Sequence, residues 1–361
     1  MGVGGSQNLS LIEVKSQVVN YKISISSDEL IYDPKYFYVI DKNLKTFIPK
    51  SLNRTLFVEV NESHKTLVEV EGIASSLSDL GMTKNGQLCV IGGGFLQDLG
   101  TCVSSLYMRG VSWIFMPTTL AAMGDSCMGG KSSINAGMVK NLLGNFYPPK
   151  SIYIDISWVK SLPQLEIVAG LSEILKICFA RSQEAFLECL TLLDSWRTTN
   201  DYSQLMRLIE LSLQSKKYFV EIDEFDVGPR KLLNFGHTFG HAIESASNFK
   251  IPHGVAVLVG MLAACEHESG VQSEAIDSLK AICLNILSLV EKDINTYLNA
   301  LKSEDIAAFM KKDKKNDANN LVLILPNDKG LFIHKEPLDI GIQRAGKALK
   351  IALGKITNEF C

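Results

Sequence analysis

The sequence lacks the features that mark several large classes of protein. It has no Cys-x-x-Cys pair, its eight cysteines standing singly at 89, 102, 127, 178, 189, 265, 283 and 361. That spacing offers neither a zinc ribbon nor a disulfide framework, and reduced thiols in a cytoplasmic protein are the simpler expectation. No apolar run reaches the roughly 18 to 20 residues that a membrane span requires. The opening MGVGGSQNLS has neither the basic nor the apolar region of a signal peptide. Basic residues are not clustered, and 36 Lys and Arg against 39 Asp and Glu leave a net charge of −3. That balance argues against nucleic acid as the main partner. Internal repeats and low-complexity segments are also missing. What is present is a 361-residue chain, 46% hydrophobic and 21% charged. This is a globular composition, with material for two domains with sizeable cores.

The first part of the chain alternates short β-rich runs with helical ones. YFYVI ending at Asp41, LFVEV at 56–60, QLCVIGGG at 87–94, WIFMPTT at 113–119 and SIYIDI at 151–156 read as strands, and His64–Leu80 has helical spacing. Strand–helix–strand repetition predicts a parallel sheet covered by helices. Near Ser157 the texture changes. Helices are expected over Leu165–Ala180, Ala185–Trp196, Tyr202–Glu221, Leu232–Ala246, Gly254–Ser269 and Ile276–Ala300. The expected division is therefore an α/β domain at 1–157 and a mostly helical one at 158–361. LVLILP at 321–326 and LFIH at 331–334 read as a late hairpin turning at Asn327–Gly330.

Chemistry-bearing residues gather in a few places. In GPRKLLNFGHTFGHAIES, His237 and His241 are four apart and share one helix face, with His253 following in IPHG. Such a group can hold a divalent cation or serve as core histidines. In EIVAGLSEILK, Glu173 and Lys176 are three apart in an otherwise apolar helix. They form either a salt bridge or, for Glu173, a third ligand beside two imidazoles, leaving the open positions of a catalytic metal site. VIGGGFLQDLG ends a strand in glycines before a helix, where backbone amides can approach a pyrophosphate. Asp41, at a strand end, suits a ribose hydroxyl or a turn. The loop PTTLAAMGDSCMGGKSSIN brings Asp125, Gly129, Gly130 and Lys131 together, with Lys140 and Asn141 shortly after, as a phosphorylated polar substrate would need.

Taken in order, GGGFLQDLG, YMRG, PTTL, DSCMGGK, KNLLG, SLP, AGLSEILK, RKLLNFGHTFGHAIE, HG and DKK resemble the 3-dehydroquinate synthases of the sugar-phosphate cyclase family, from about Asn61 to Lys315. The resemblance implies an NAD-binding α/β N-terminal domain with a parallel sheet, followed by a mostly α-helical metal-binding domain. It implies zinc or cobalt on Glu173, His237 and His253, with His241 moving protons beside the metal rather than binding it. NAD contacts are implied for Asp41, Asn43, Glu62 to Lys65, Gly93, Gly94, Asp98, Thr118, Thr119 and Lys140. Substrate contacts are implied for Asp125, Lys131, Asn141, Lys176, Lys216, Arg230, Asn234, Lys314 and Lys315, besides the metal ligands. Lys176 and Asp226 join His241 as catalytic candidates. Arg109 of YMRG is implied to reach the neighbouring subunit of a homodimer.

The activity so implied converts 3-deoxy-D-arabino-heptulosonate 7-phosphate to 3-dehydroquinate and phosphate, a step of the shikimate route. It proceeds by transient oxidation, phosphate elimination, re-reduction and aldol closure. The chain departs from the family pattern at Asn61, where glycine is usual, and at Asp226, where glutamate is. Gln164–Leu165 lacks the usual arginine, and Cys127 and Met128 replace Ser and Val. Three other readings stand beside this one: a sister cyclase using sedoheptulose 7-phosphate or glucose 6-phosphate, a metal-dependent alcohol dehydrogenase, and a silent paralogue. Arg230, Asn234 and the DKK lysines favour a substrate that carries a carboxylate.

Overall fold

Every residue of LCVIG at 88–92 is buried, the pattern of a parallel strand covered on both faces. The computed structural model describes residues 10–27, 32–137, 139–290, 292–311, 319–327 and 330–360. In chain order they form β1 (Ser10–Val14), β2 (Tyr21–Ser26), β3 (Phe37–Asp41), β4 (Thr55–Val58), α1 (Leu67–Asp79), β5 (Leu88–Gly92), α2 (Gly94–Leu106) and β6 (Trp113–Pro117). A hairpin of β7 (Ile134–Ala136) and β8 (Val139–Leu143) precedes β9 (Ser151–Asp155). Helices follow: α3 (Gln164–Arg181), α4 (Gln183–Thr199), α5 (Tyr202–Ile222), α6 (His237–Ala246), α7 (His253–Cys265), α8 (Glu274–Leu287), α9 (Lys292–Ala300) and α10 (Ser303–Met310). The hairpin β10 (Asn320–Asn327) and β11 (Gly330–Pro337) leads into α11 (Leu338–Phe360). Two residues of the expected turn, Asp328 and Lys329, lie outside the described residues.

The chain divides into two compact units, Met1–Leu162 with Asn200–Asp226, and Pro163–Thr199 with Val227–Cys361. The first holds a seven-stranded sheet in the order β1-β2-β9-β6-β5-β3-β4. Only the β1–β2 pair is antiparallel. Tyr38, Ile40, Cys89, Ile91, Ile114 and Met116 form one core cluster on alternate positions of β3, β5 and β6. Because these strands run parallel and in register, Asp41, Gly92 and Pro117 end at one edge of the sheet.

Helix α5 departs from a single cut near residue 157, since it belongs to the first unit. Its stripe Leu205, Leu208, Ile209 and Leu213 is buried, and its polar side chains reach back to the first strand. Ser10 Oγ donates to Glu210 Oε1 at 2.6 Å, and the Lys15 N–H donates to Glu221 Oε1 at 2.9 Å. Ser212 Oγ donates to the Gly124 carbonyl at 2.7 Å. A helix-by-helix reading of the sequence cannot see these long-range partners.

The second unit is built on α7. Gly254–Cys265 is buried throughout, as befits a helix apolar on all sides, and α3, α6, α8 and α11 pack against it. The helix expected over Leu232–Ala246 is two pieces, a 3₁₀ segment at Pro229–Asn234 and α6 from His237. Gly236 stands between them at φ +76, a left-handed backbone that stops the helix and restarts it. A Cβ there would lie 2.9 Å from Met261 N and Val257 O, so glycine also lets α6 cross close to α7. The expected helix Ile276–Ala300 is likewise two, α8 and α9.

Candidate active site

Three helices of the second unit supply one cluster. Glu173 lies within α3, while His237 and His253 are the first residues of α6 and α7. Gly254 allows this approach: a Cβ on it would fall 2.2 Å from Ala169 Cα on α3. The close crossing puts His253 Nε2 at 3.2 Å and His237 Nε2 at 3.8 Å from Glu173 Oε1. Two donors about 2.0–2.1 Å from a tetrahedral zinc stand roughly 3.3 Å apart, so the three atoms fit a divalent cation. All three ligand atoms lie within 4.8 Å of one another.

The surroundings aim these atoms. Lys176 donates to Glu173 Oε2, leaving Oε1 towards the imidazoles. The pair is no surface salt bridge, since its side chains are 4% and 6% exposed. His237 Nδ1 lies 3.2 Å from the Phe235 carbonyl, and His253 Nδ1 lies 3.1 Å from Glu244 Oε2. Each contact favours the tautomer with its proton on Nδ1, so that Nε2 carries the lone pair a metal would take. Burial opposes the Glu173 charge, but Lys176 and His253 overcome it and hold the carboxyl well below its usual range. Desolvation likewise opposes a charge on His253, although its ring keeps an exposed edge, and the hydrogen bonds to Glu173 and Glu244 push it up to about 10. A cation would take the place of that proton.

Glu244 was not singled out by the sequence reading, yet HAIE places it three residues after His241 and seven after His237, on the same face. It also belongs to a second grouping, His241, Glu244 and His253, whose ligand atoms are as close. The His241 ring sits 5.4 Å from His237 and 5.9 Å from His253 between centroids. Arg230 is buried, and Asn234 Nδ2 donates to the Lys231 carbonyl at 3.1 Å, both in the 3₁₀ segment before α6.

The first unit gathers the other expected residues. Gly93 caps α2 and Gly94 opens it, and a Cβ on Gly93 would fall 2.9 Å from the Thr119 side chain. Thr118 donates its N–H to the Gly92 carbonyl at 3.0 Å. Asp41 ends β3 and accepts from the Asn43 N–H at 2.8 Å. Glycine amides at a helix start and an acid on a neighbouring strand end together form the arrangement that receives a dinucleotide. Lys65 pairs with Asp98 at 2.6 Å and donates to Asn141 Oδ1 at 2.9 Å. Glu62 and Asn141 are bridged by Asn135, and Lys140 is exposed on β8.

Asp125 accepts from Lys216 of α5, through its carbonyl at 2.7 Å and through its carboxylate. Lys131 pairs with Asp226 Oδ2 at 2.6 Å. Asp226 holds φ +58, and its Oδ1 is buried without a hydrogen-bond partner among the described residues. Arg109 is exposed on a turn where Met108, Arg109 and Gly110 have φ of 46, 62 and 101. The Lys84 ammonium, which the sequence reading passed over, donates to the Met108 carbonyl at 2.9 Å and also to that of Gly110. Lys314 and Lys315 lie outside the described residues.

A parallel sheet with a glycine-started helix, joined to a helical unit with a Glu–His–His cluster, is the plan of a nucleotide- and metal-using enzyme. The solved structures agree on this fold. A 2-deoxy-scyllo-inosose synthase complexed with carbaglucose-6-phosphate, NAD⁺ and Co²⁺ matches with a TM-score of 0.78 at 18% identity, over 94% of this chain and 99% of that one. ValA, a 2-epi-5-epi-valiolone synthase from Streptomyces hygroscopicus with NAD⁺ and Zn²⁺ bound, matches with a TM-score of 0.78 at 21% identity, over 94% and 98%. Residues 55–169 match the family model for the 3-dehydroquinate synthase N-terminal domain, and residues 170–316 match that for the C-terminal domain. The 3-dehydroquinate synthase of Dictyoglomus thermophilum is 37% identical over 279 residues, 76% of each chain. The chain belongs to the 3-dehydroquinate synthase family.

Proposed function

We propose that this protein is a 3-dehydroquinate synthase, converting 3-deoxy-D-arabino-heptulosonate 7-phosphate to 3-dehydroquinate and phosphate. The observation that carries the reading is the Glu173–His237–His253 cluster beside Lys176, in a chain of this family. Glu173, His237 and His253 would hold zinc or cobalt, and Asp41, Asn43, Glu62, Lys65, Gly93, Gly94, Asp98, Thr118, Thr119 and Lys140 would hold NAD. When bound, the metal supplies Lewis acidity to a substrate hydroxyl, and NAD⁺ takes up and returns a hydride within one turnover.

The chain's own residues bind, orient and move protons. Lys131, Lys216, Arg230 and the DKK lysines balance the phosphate and carboxylate, Arg230 through paired contacts. Asn141, Asn234 and Asp125 fix hydroxyl positions, so that one conformer is held for ring closure. Lys176 orients Glu173 Oε1 and offers an ammonium proton beside it. His241, one turn from His237, offers an imidazole suited to proton transfer. Asp226 keeps the family's acid one methylene shorter, within hydrogen-bond distance of Lys131. A homodimer in which Arg109 crosses to the neighbouring subunit, working in the cytoplasm, completes the proposal. Among the described residues no helix is long and apolar enough to cross a membrane.

The test is phosphate release from purified protein with NAD⁺ and zinc, offering the heptulosonate phosphate, sedoheptulose 7-phosphate and glucose 6-phosphate separately. Release from the first alone, with no net NADH, is expected. Release from another would move the substrate and keep the cyclase reading, while silence with all three would support a silent paralogue. Chelation should abolish the activity and zinc or cobalt restore it.

A further inference from the structure

Asn135, on β7, has no role in the reaction as set out above, yet its polar atoms are occupied in two directions. Its Nδ2 donates to the Glu62 carbonyl at 2.9 Å and to Glu62 Oε1 at 3.1 Å. Its backbone N–H donates to the Lys65 carbonyl at 2.7 Å. On the other side, its Oδ1 accepts the N–H of Asn141 at 2.9 Å. That bond secures a residue at φ +52, a left-handed backbone unfavourable for a residue with a side chain.

The Asn141 amide is fixed as well. Its Oδ1 accepts from Lys65 Nζ and from Ser133 Oγ, both at 2.9 Å, which fills both lone pairs and leaves the NH₂ as what it can offer a ligand. Ser133 itself is held by Asp98, its N–H donating to Oδ1 at 3.0 Å. Asp98 in turn holds the Lys65 ammonium at 2.6 Å. The segment assigned to the cofactor and the residue assigned to the sugar phosphate are therefore ends of one hydrogen-bonded network, with Asn135 joining their backbones.

We infer that Asn135 is a positioning residue that couples the two ligands: ordering of Glu62–Lys65 by the dinucleotide sets Asn141 for the sugar phosphate, and the reverse holds by linkage. This rests on the proposed reading of Glu62, Lys65 and Asn141. Asn135→Asp separates coupling from mere support. It keeps an oxygen for the Asn141 N–H but replaces the NH₂ with an oxygen facing Glu62 Oε1, so only the two side-chain bonds to Glu62 are cut. Asn135→Ala cuts these and the bond to the Asn141 N–H, leaving the backbone bond to the Lys65 carbonyl.

The experiment titrates NADH, followed by its fluorescence, into the zinc-loaded protein with and without saturating 3-deoxy-D-arabino-heptulosonate 7-phosphate. NADH cannot accept a hydride, so the ternary complex is a dead end. In the unaltered protein the sugar phosphate should tighten NADH binding by at least fivefold, the low end of ordinary coupling. In Asn135→Asp, with thermal unfolding confirming a folded protein, that ratio should fall at least threefold, and in Asn135→Ala it should fall at least as far. A wild-type ratio retained in folded Asn135→Asp overturns the inference, as does a ratio of one in the unaltered protein. No NADH binding by the unaltered protein overturns the cofactor reading itself, and the inference with it.

Discussion

Two groupings of side chains share His253, and they make opposite predictions about metal binding. If the cation sits on Glu173, His237 and His253, then Glu244 only orients His253 through its 3.1 Å contact to Nδ1. Removing such an orienting partner weakens metal binding about 10- to 100-fold, so Glu244→Ala should shift the dissociation constant by that much. Glu173→Gln takes away a charged ligand whose side chain is 6% exposed. Loss of a buried charged partner costs about 3–5 kcal/mol, or roughly two to three and a half decades of affinity. His241→Ala removes neither a ligand nor an orienting group, and should leave the affinity within about threefold while slowing turnover at least tenfold. If the cation sits instead on His241, Glu244 and His253, the order reverses. His241→Ala and Glu244→Ala would then lose the metal, and Glu173→Gln would keep it. Competition with a coloured chelator gives all three constants, and calorimetry gives the stoichiometry. Retention of metal by Glu173→Gln together with its loss in His241→Ala would refute the assignment.

Gly254→Ala would put a Cβ 2.2 Å from Ala169 Cα; the two helices must part, which should cost about 1–3 kcal/mol and draw His253 away from Glu173. Calorimetry should show a lower Tm and chelator competition at least tenfold weaker zinc binding. His267 is buried, accepts the Ser269 N–H on Nδ1 at 3.3 Å and faces Glu336 Oε1 from Nε2 at 3.4 Å. Burial holds its pKa below the ordinary value despite Glu336, with His334 and Arg344 also disfavouring the charge. The unfolded chain takes up a proton near pH 6.5 that the folded ring refuses, so this group subtracts stability as pH falls below that value. Denaturant midpoints of His267→Gln at pH 7.5 and 5.5 should differ less than those of the unaltered protein. Lys84→Met removes the ammonium that bonds the Met108 and Gly110 carbonyls; stability should fall by about 1 kcal/mol, and the KM for the sugar phosphate should rise if Arg109 acts as proposed.

Much of the first unit was legible because its strands are buried on both faces and read as apolar runs. YFYVI, QLCVIGGG and WIFMPTT each fall on a strand of the sheet. Helix α5 was legible as a helix but not as part of that unit, since its anchors are Ser10, Lys15 and the Gly124 carbonyl, about 90 to 210 positions away along the chain. The hairpin of β7 and β8 escaped notice because VKNLL is exposed throughout and has no alternation to read. Asn135 escaped for a related reason: three of its four bonds go to Glu62 and Lys65, about 70 positions away, and no local pattern encodes them.

The histidine pair shows where a local pattern and a fold part company. Four-residue spacing places His237 and His241 on one face wherever the helix begins, so it cannot say which of them binds metal. That choice depends on where the helix starts. With Gly236 at φ +76, His237 becomes the first residue of α6, and its Nδ1 lies 3.2 Å from the Phe235 carbonyl. His241, a turn further on, has its own carbonyl engaged by Ser245 Oγ at 2.9 Å. In an uninterrupted helix from Leu232, the Phe235 carbonyl would instead accept the N–H of Phe239, four residues on. The break at Gly236 frees that carbonyl to fix the tautomer of His237, and the bare Cα of Gly236 lets α6 settle against α7, where His253 waits. A glycine that reads as a helix breaker is in this protein what gives the two imidazoles their different surroundings.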